Sequence, residues 1–363
     1  VIVTHGGQQQ PRVLMNRCTH RAATVCQERS GHATHFRCAY HGWTYRPDGG
    51  LLGVPMRAGY EQSGFQSSPA RHGLTPFGEV AVHQGFVFAR AQSDGRSFQE
   101  GMGELLQTLD LLVQRSPQGR LRVAGGVLKT EFGANWKIYL ENINDTVHPV
   151  STHESAVRAA QAQWKGQDPA QPKPLAIEQI LPFGQSYQFF EGMGGRVLPN
   201  GHSVSGTRAS VHSGYGELGD YVQALAAAHG EEKARQILEH SPQNAVLYPS
   251  LAVKGSPQTI RVIRPVAVDR TVVEAWNFRT VGAPDLLFER ALNYSRLVFS
   301  PMSIVAHDDI HLFEQQQQGL KSGPNDWVSL HRDFTPAELG TLPLDTNGSS
   351  ELLIRNQYRA WAD

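Results

Sequence analysis

Cysteine is scarce in this chain: Cys18, Cys26 and Cys38 are the only three in 363 residues. Three thiols cannot build a disulfide framework, and they suit a reducing, cytoplasmic setting. No run of eighteen or more apolar residues occurs, so no membrane span is expected. No signal peptide is read ahead of the first strand. An excess of either charge is missing as well. Lys and Arg number 33, Asp and Glu number 33, and no basic stripe is visible. Neither a nucleic acid nor an anionic surface is an expected partner. Internal repeats and long low-complexity tracts are also lacking. What remains is a chain long enough for two domains and a large core.

The residues that carry most information are Cys18, His20, Cys38 and His41. They read Cys-x-His, seventeen residues, then Cys-x-x-His. Each half offers one thiolate and one imidazole. Two such halves give one metal two sulfurs and a second metal two nitrogens, the ligand set of a Rieske [2Fe–2S] cluster. Zinc also accepts two Cys and two His. Zinc fingers usually pair Cys with Cys and His with His, however, whereas each pair here is mixed. Cys26 has no partner left and reads as a small buried thiol beside the cluster loop.

The flanks add to this. The first half reads Asn16-Arg17-Cys18-Thr19-His20-Arg21. The second reads Cys38-Ala39-Tyr40-His41-Gly42-Trp43, followed by Pro47-Asp48-Gly49-Gly50. These stretches resemble the Rieske domain of bacterial ring-hydroxylating oxygenases. In that family several strands and a leading helical segment precede the first Cys. The resemblance therefore implies that the N-terminal part is missing here.

Residues 1–90 are rich in turn residues, and Val80–Val82 and Phe86–Phe88 look like strands on either side of a turn. A small antiparallel β domain is expected, with a polar linker at 91–97. Leu105, Leu106, Leu109, Leu112 and Val113 recur at helical spacing. A second helix is expected around 134–155, and a surface loop at 161–174. Helices are also expected at 217–240 and at 284–300, the latter opening with Pro284-Asp285. Tyr187–Phe190, Thr259–Arg264 and Thr271–Phe278 read as strands, the last two joined by a turn at Asp269-Arg270. The expected fold class is α+β: a small antiparallel β domain over 1–92, then a larger domain over 93–363 with an antiparallel sheet flanked by helices.

A second constellation lies in Asn135-Trp136-Lys137 and Glu141-Asn142-Ile143-Asn144-Asp145-Thr146-Val147-His148-Pro149-Val150-Ser151-Thr152-His153. Asp145 and His148 are three apart and would share a helix face. His148 and His153 are five apart, which on a regular helix turns them roughly 140° from each other. Two His on one ion need the helix to break. Pro149 lacks an N–H and would disrupt it there. A mononuclear Fe(II) that activates O2 takes two His and one carboxylate on one face. Asp308 and Asp309, in Ala306-His307-Asp308-Asp309-Ile310-His311, are the candidates for that carboxylate. His307 and His311 are four apart and could bind a metal in isolation, but they read as solvent-facing or as groups behind the ligands, and Gln315–Gln318 as a polar helix face.

Both motifs in this order resemble the catalytic α subunit of Rieske non-haem iron aromatic-ring oxygenases. The likeness spans nearly the whole chain and is strong near 14–55, 133–153 and 304–320. On the family's register Asp309, not Asp308, is the iron ligand beside His148 and His153. The resemblance implies an enzyme that oxidises an aromatic ring with O2, by cis-dihydroxylation or by monohydroxylation or demethylation. It implies electrons taken ultimately from NAD(P)H through a separate reductase, with or without a ferredoxin. It implies a head-to-tail homotrimer, with or without a small β subunit, in which Asp145 links His148 to His41 of a neighbouring copy. Asn142 is then a polar group near the iron. A Rieske electron-transfer protein with an appended domain is the competing class, and it would hold two iron atoms per chain rather than three. For the substrate, Arg261 and Arg264 stand out. Their odd spacing sends them to opposite faces of a strand. Only one can face the buried side, where a guanidinium suits an aromatic carboxylate.

Overall fold

Short alternating runs dominate the first hundred residues, and the computed structural model pairs them into three small antiparallel sheets. These are β1 (Ile2–Thr4) with β2 (Arg12–Leu14), β3 (Phe36–Arg37) with β4 (Thr44–Tyr45) and β5 (Leu51–Gly53), and β6 (Glu79–His83) with β7 (Phe86–Arg90). The β6–β7 hairpin closes through Gln84 and Gly85, both at positive φ, the geometry that matches strand twist in a two-residue turn. The structure describes all residues except 6–9, 66–68, 93–94, 169, 212–218, 256–258 and 324–326. Parts of the expected linker 91–97, loop 161–174 and helix 217–240 thus lie outside the described residues. Two compact units result, Val1–Gly101 and Met102–Asp363, against a boundary read at 92 from the sequence.

The second unit opens with α1 (Leu105–Gln114), which buries Leu105, Leu109, Leu112 and Val113 as its periodicity predicts. The long strand β8 (Leu121–Phe132) follows, then α2 (Trp136–Asn144), α3 (Pro149–Thr152) and α4 (Glu154–Trp164). Further on come α5 (Leu175–Ile180), α6 (Tyr187–Gly192), β9 (Gly195–Val197), β10 (Ser203–Ser205), α7 (Gly219–His229) and α8 (Glu231–Glu239). The chain then runs through β11 (Asn244–Leu247), β12 (Leu251–Lys254), β13 (Thr259–Ala267) and β14 (Arg270–Thr280). It ends with α9 (Asp285–Phe299), α10 (Ile304–Lys321), β15 (Leu344–Thr346) and α11 (Leu352–Ala362).

Eight of these strands form one antiparallel sheet in the order β15-β9-β10-β11-β12-β13-β14-β8. Side chains alternate across it. Ile263 and Val273 are partners on one face, and with Val246, Ala252 and Phe132 they pack against Tyr139 and Ile143 of α2 and Phe313 of α10. The Val, Ile and Phe side chains each contribute roughly 1.5–3 kcal/mol by leaving water. This packing holds α2 and α10 over the same sheet face.

Three expectations change. Tyr187–Phe190 is helical, not a strand: the Ser186 side chain accepts from the Phe189 N–H and starts α6. The described part of the segment expected as helix over 217–240 holds two helices, because Gly230 stands at φ 82° between α7 and α8. The helix expected over 134–155 stops at Asp145, whose backbone is extended (φ −92°, ψ 124°). The break thus comes ahead of His148, and Pro149 starts a new turn, where its missing N–H costs nothing.

Candidate metal centres

In the first unit the two cluster loops share a backbone pattern. The Cys18 N–H donates to Ala23 and the Ala22 N–H to Cys18. The Cys38 N–H donates to Trp43 and the Gly42 N–H to Cys38. Ala22 and Gly42, each four residues after a Cys, both take positive φ. Both thiols are buried in one cluster with Trp43 and Tyr45. The His20 and His41 rings meet edge-on with centroids 4.5 Å apart, and His20 stacks on Trp43. The Tyr45 hydroxyl lies 3.1 Å from Cys18 Sγ. Burial, and then that contact, push the phenol up to about 12. His20 Nδ1 is buried without a hydrogen-bond partner. Two buried sulfurs and an imidazole nitrogen left open fit the donor set of a [2Fe–2S] cluster. Cys26 is only half-buried, with Sγ 3.7 Å from the Glu28 carbonyl.

In the second unit His148, His153 and Asp309 each offer one ligand atom within 4.8 Å of the others. The sequence supplies each position differently. Asp145, at the end of α2, turns the chain: its Oδ1 accepts from the Val147 N–H at 2.7 Å and the His148 N–H at 3.3 Å. It therefore caps the backbone instead of sharing a helix face with the His148 ring. His148 precedes α3, and His153 sits in the kink between α3 and α4, with φ −105° and ψ 17°. The two rings end up 5.7 Å apart. Asp309 lies on α10, on the face that carries Ala306, Ile310 and Phe313 inward. Its Oδ1 is 3.7 Å from His148 Nε2 and 3.5 Å from His153 Nε2.

Asp308, one step round α10, reaches the other nitrogen of His153, Nδ1, at 3.3 Å. Such a carboxylate fixes the ring's tautomer and orientation. Sequence reasoning missed this position for Asp308, although an acidic pair on a helix is the kind of signal that can place one residue behind the other. The Asn142 amide nitrogen stands 3.1 Å from both His148 Nε2 and Asp309 Oδ1. Burial, opposed by Asp145 and aided by His153, lowers His148 to about 4. Burial likewise lowers His153. Burial raises Asp309 to about 7, against the Asn142 hydrogen bond. Two neutral imidazoles and a carboxylate that resists charging without a cation suit a divalent metal. His307 and His311 are exposed on α10.

The triad opens onto a cavity of about 850 Å³, its mouth included, lined by apolar side chains such as Leu128, Phe183, Val273, Val298 and Phe299. A concave space with apolar walls and polar groups converging on it is the ordinary form of a small-molecule site. Arg261 lines it and is 4% exposed. Its guanidinium donates to Asn244 Oδ1 and lies over the Phe299 ring at 5.0 Å. Arg264 is on the opposite sheet face, exposed, and pairs with Glu274 at 3.1 Å. It does not line the cavity, which corrects its place among the substrate-binding candidates. Lys254, which sequence reasoning missed, does line it.

Comparison with known proteins fits this geometry. The family model for the ring hydroxylating alpha subunit (catalytic domain) matches residues 120–362, and that for the Rieske [2Fe-2S] domain matches residues 1–65.

The chain belongs to the ring-hydroxylating alpha subunit family.

Relatives within the family include toluate 1,2-dioxygenase subunit alpha of Pseudomonas putida, 29% identical over 89% of this chain and 69% of that protein. The 2-halobenzoate 1,2-dioxygenase large subunit of Burkholderia cepacia is 26% identical over 100% of this chain and 78% of its own. Among solved structures, naphthalene 1,2-dioxygenase with indole bound shares the fold, with TM-score 0.73 and 21% identity over 99% of this chain and 79% of that one. This ring-hydroxylating alpha subunit is an oxygenase, and its cofactors are a [2Fe–2S] cluster and a mononuclear iron. No helix among the described residues is long and apolar enough to cross a membrane.

Proposed function

We propose that the chain is a terminal oxygenase component that cis-dihydroxylates the ring of an aromatic carboxylate. The observation that carries the reading is the convergence of His148, His153 and Asp309 beside an apolar cavity, in a chain that also holds mixed Cys/His loops. In this reading Cys18 and Cys38 hold one iron of the cluster, and His20 and His41 hold the other. His148, His153 and Asp309 would hold the mononuclear iron. When bound, the cluster supplies electrons one at a time and the mononuclear Fe(II) supplies the place where O2 is activated.

The protein's own residues do the rest. Asp308 orients His153, Asn142 presents an amide beside His148 and Asp309, and the apolar walls exclude water from the ring. Arg261 supplies a buried cation for the substrate's carboxylate, and two relatives act by name on toluate and 2-halobenzoate. Electrons come from NAD(P)H through a separate reductase, with or without a ferredoxin. A head-to-tail ring of three chains would let Asp145 link His148 to His41 of a neighbour, with or without a small β subunit.

Turnover in isotopically labelled O2, with a compatible reductase and a set of aromatic acids, tests the reading. A dihydrodiol carrying both atoms of one O2 is expected. A product with a single labelled oxygen, or loss of a methyl group, would make the chain a monooxygenase. A content of two iron atoms per chain, with no turnover, would make it an electron carrier.

A further inference from the structure

Lys254 ends β12, a strand whose other inner position, Ala252, is apolar and fully buried. The lysine is itself only 5% exposed. A lysine buried in a sheet breaks the local pattern, and such breaks gather at functional sites. Strand register fixes its direction. Lys254 pairs with Thr259, and Ala252 pairs with Arg261. Steps of two keep all four on one face, the face whose Val273 and Ala275 line the cavity. Lys254 and Arg261 are diagonal neighbours on adjacent strands, with Cα atoms roughly 7–8 Å apart. Both open on the space that holds His148, His153 and Asp309.

Their charges are met unequally. Arg261 has Asn244, the Tyr139 hydroxyl and the Phe299 ring, and it feels the Asp309 carboxylate, yet its buried Nε has no hydrogen-bond partner. Lys254 has the face of the Tyr294 ring, 5.5 Å from Nζ, and its charge also reaches His148. Among the described residues no carboxylate pairs with it, and no acceptor takes a hydrogen bond from its ammonium. A buried ammonium without an anion is costly. Burial and the neighbouring Arg261 accordingly hold its pKa well below the ordinary lysine value.

We propose that Lys254 is the specificity-determining residue of this cavity: with Arg261 it clamps the substrate's carboxylate, and it separates aromatic acids from neutral rings of the same shape. The inference rests on the aromatic-acid reading above. A carboxylate has two oxygens; on this sheet face the Arg261 guanidinium would meet one, and Lys254, held protonated by the bound anion, would meet the other. The Arg261 fork is partly committed to Asn244, so the Lys254 point charge carries the discrimination.

The test is equilibrium binding of benzoate and of its neutral counterpart benzamide to the iron-loaded enzyme without O2. Wild type, Lys254→Met, Lys254→Gln and Lys254→Arg are compared, and an unchanged Rieske absorption spectrum reports the fold of each. Benzoate affinity is expected to fall about 10- to 100-fold in the Met and Gln variants, the range for losing a charged hydrogen bond. Benzamide affinity should move far less. Lys254→Arg should keep most of the preference for benzoate. Equal losses for both ligands in Met and Gln would overturn the proposal by showing a structural role. So would unchanged benzoate binding in either folded variant. Wild type that oxidises neutral rings but neither binds nor oxidises benzoate would sink the aromatic-acid reading and this inference with it. Wild type that oxidises benzoate while Lys254→Met does so equally well would sink the inference alone.

Discussion

Asp309 should make iron binding at the mononuclear site depend on pH in a specific way. In the metal-free protein, burial raises its carboxyl to about 7, while His148 is lowered to about 4. Iron must therefore displace a proton from Asp309 at any pH between about 5 and 7. At pH 6 roughly one molecule in eleven has Asp309 ionised, and at pH 5 roughly one in a hundred. The apparent affinity for Fe(II) should thus be nearly level above pH 8. It should fall about tenfold between pH 8 and pH 6 and about a hundredfold by pH 5. The same shift touches the stability of the metal-free protein. The folded state keeps the proton up to about 7, but the unfolded chain loses it near 3.8. The folded state then binds more protons through that window, so stability falls as pH rises. The gap is worth on the order of 4 kcal/mol, and the cation offsets it. Anaerobic equilibrium dialysis of protein stripped of mononuclear iron, with the Rieske absorbance as a check on integrity, gives the affinities. A slope of two protons per iron between pH 5 and 7 would show that a histidine is contested as well. A level affinity from pH 5 to 8 would refute the reasoning about Asp309 outright.

Three further outcomes can be measured. Asp308→Ala should keep all three ligands yet weaken mononuclear iron binding about 10- to 100-fold, the usual cost of losing a carboxylate behind a ligating His, while Asp309→Ala should lose that iron altogether; metal analysis separates them. Tyr45→Phe removes the hydroxyl 3.1 Å from Cys18 Sγ and should lower the cluster's reduction potential by about 60 mV, the equivalent of one ~1.4 kcal/mol hydrogen bond to sulfur; protein-film voltammetry reads it. Asp145→Asn keeps the Oδ1 that caps Val147 and His148 and should retain iron, whereas Asp145→Ala should lose about 1 kcal/mol of stability and part of its iron. Both should slow single-turnover oxidation of the cluster by O2, and a normal rate in both would remove Asp145 from the electron path.

The chemistry was legible where residue type and order decide it. The mixed Cys/His pairs, the two His around Pro149 and an acid on a late helix are all local strings. The hairpin β13–β14 was legible too, because two alternating runs flank an obvious turn. The location of the helix break was not. Pro149 drew attention, but a proline is welcome as the first residue of a turn, and it is Asp145 that leaves the helix by capping two backbone N–H groups. Tyr187–Phe190 has the aromatic content of a strand, and only the Ser186 cap overrides it. Lys254 was invisible because a lysine at the end of a run ordinarily reads as exposed. Its inward direction exists only through pairing with β13 and β11, which is long-range information.

Asp308 and Asp309 stand on α10, and the sequence distance from His153 to Asp308 is 155 residues. An ion shared by His148, His153 and Asp309 is therefore also a cross-link, closing a chain loop about as long as a domain. Closing so long a loop removes much freedom from the unfolded chain, as a long-range disulfide does. The consequence is mechanical. Without iron, α10 is held by packing and by hydrogen bonds between its side chains and Gly133, Asn135, Asn142 and His153, and it should loosen relative to the loaded enzyme. Limited proteolysis of iron-depleted protein should then cut near α10 while the loaded enzyme resists.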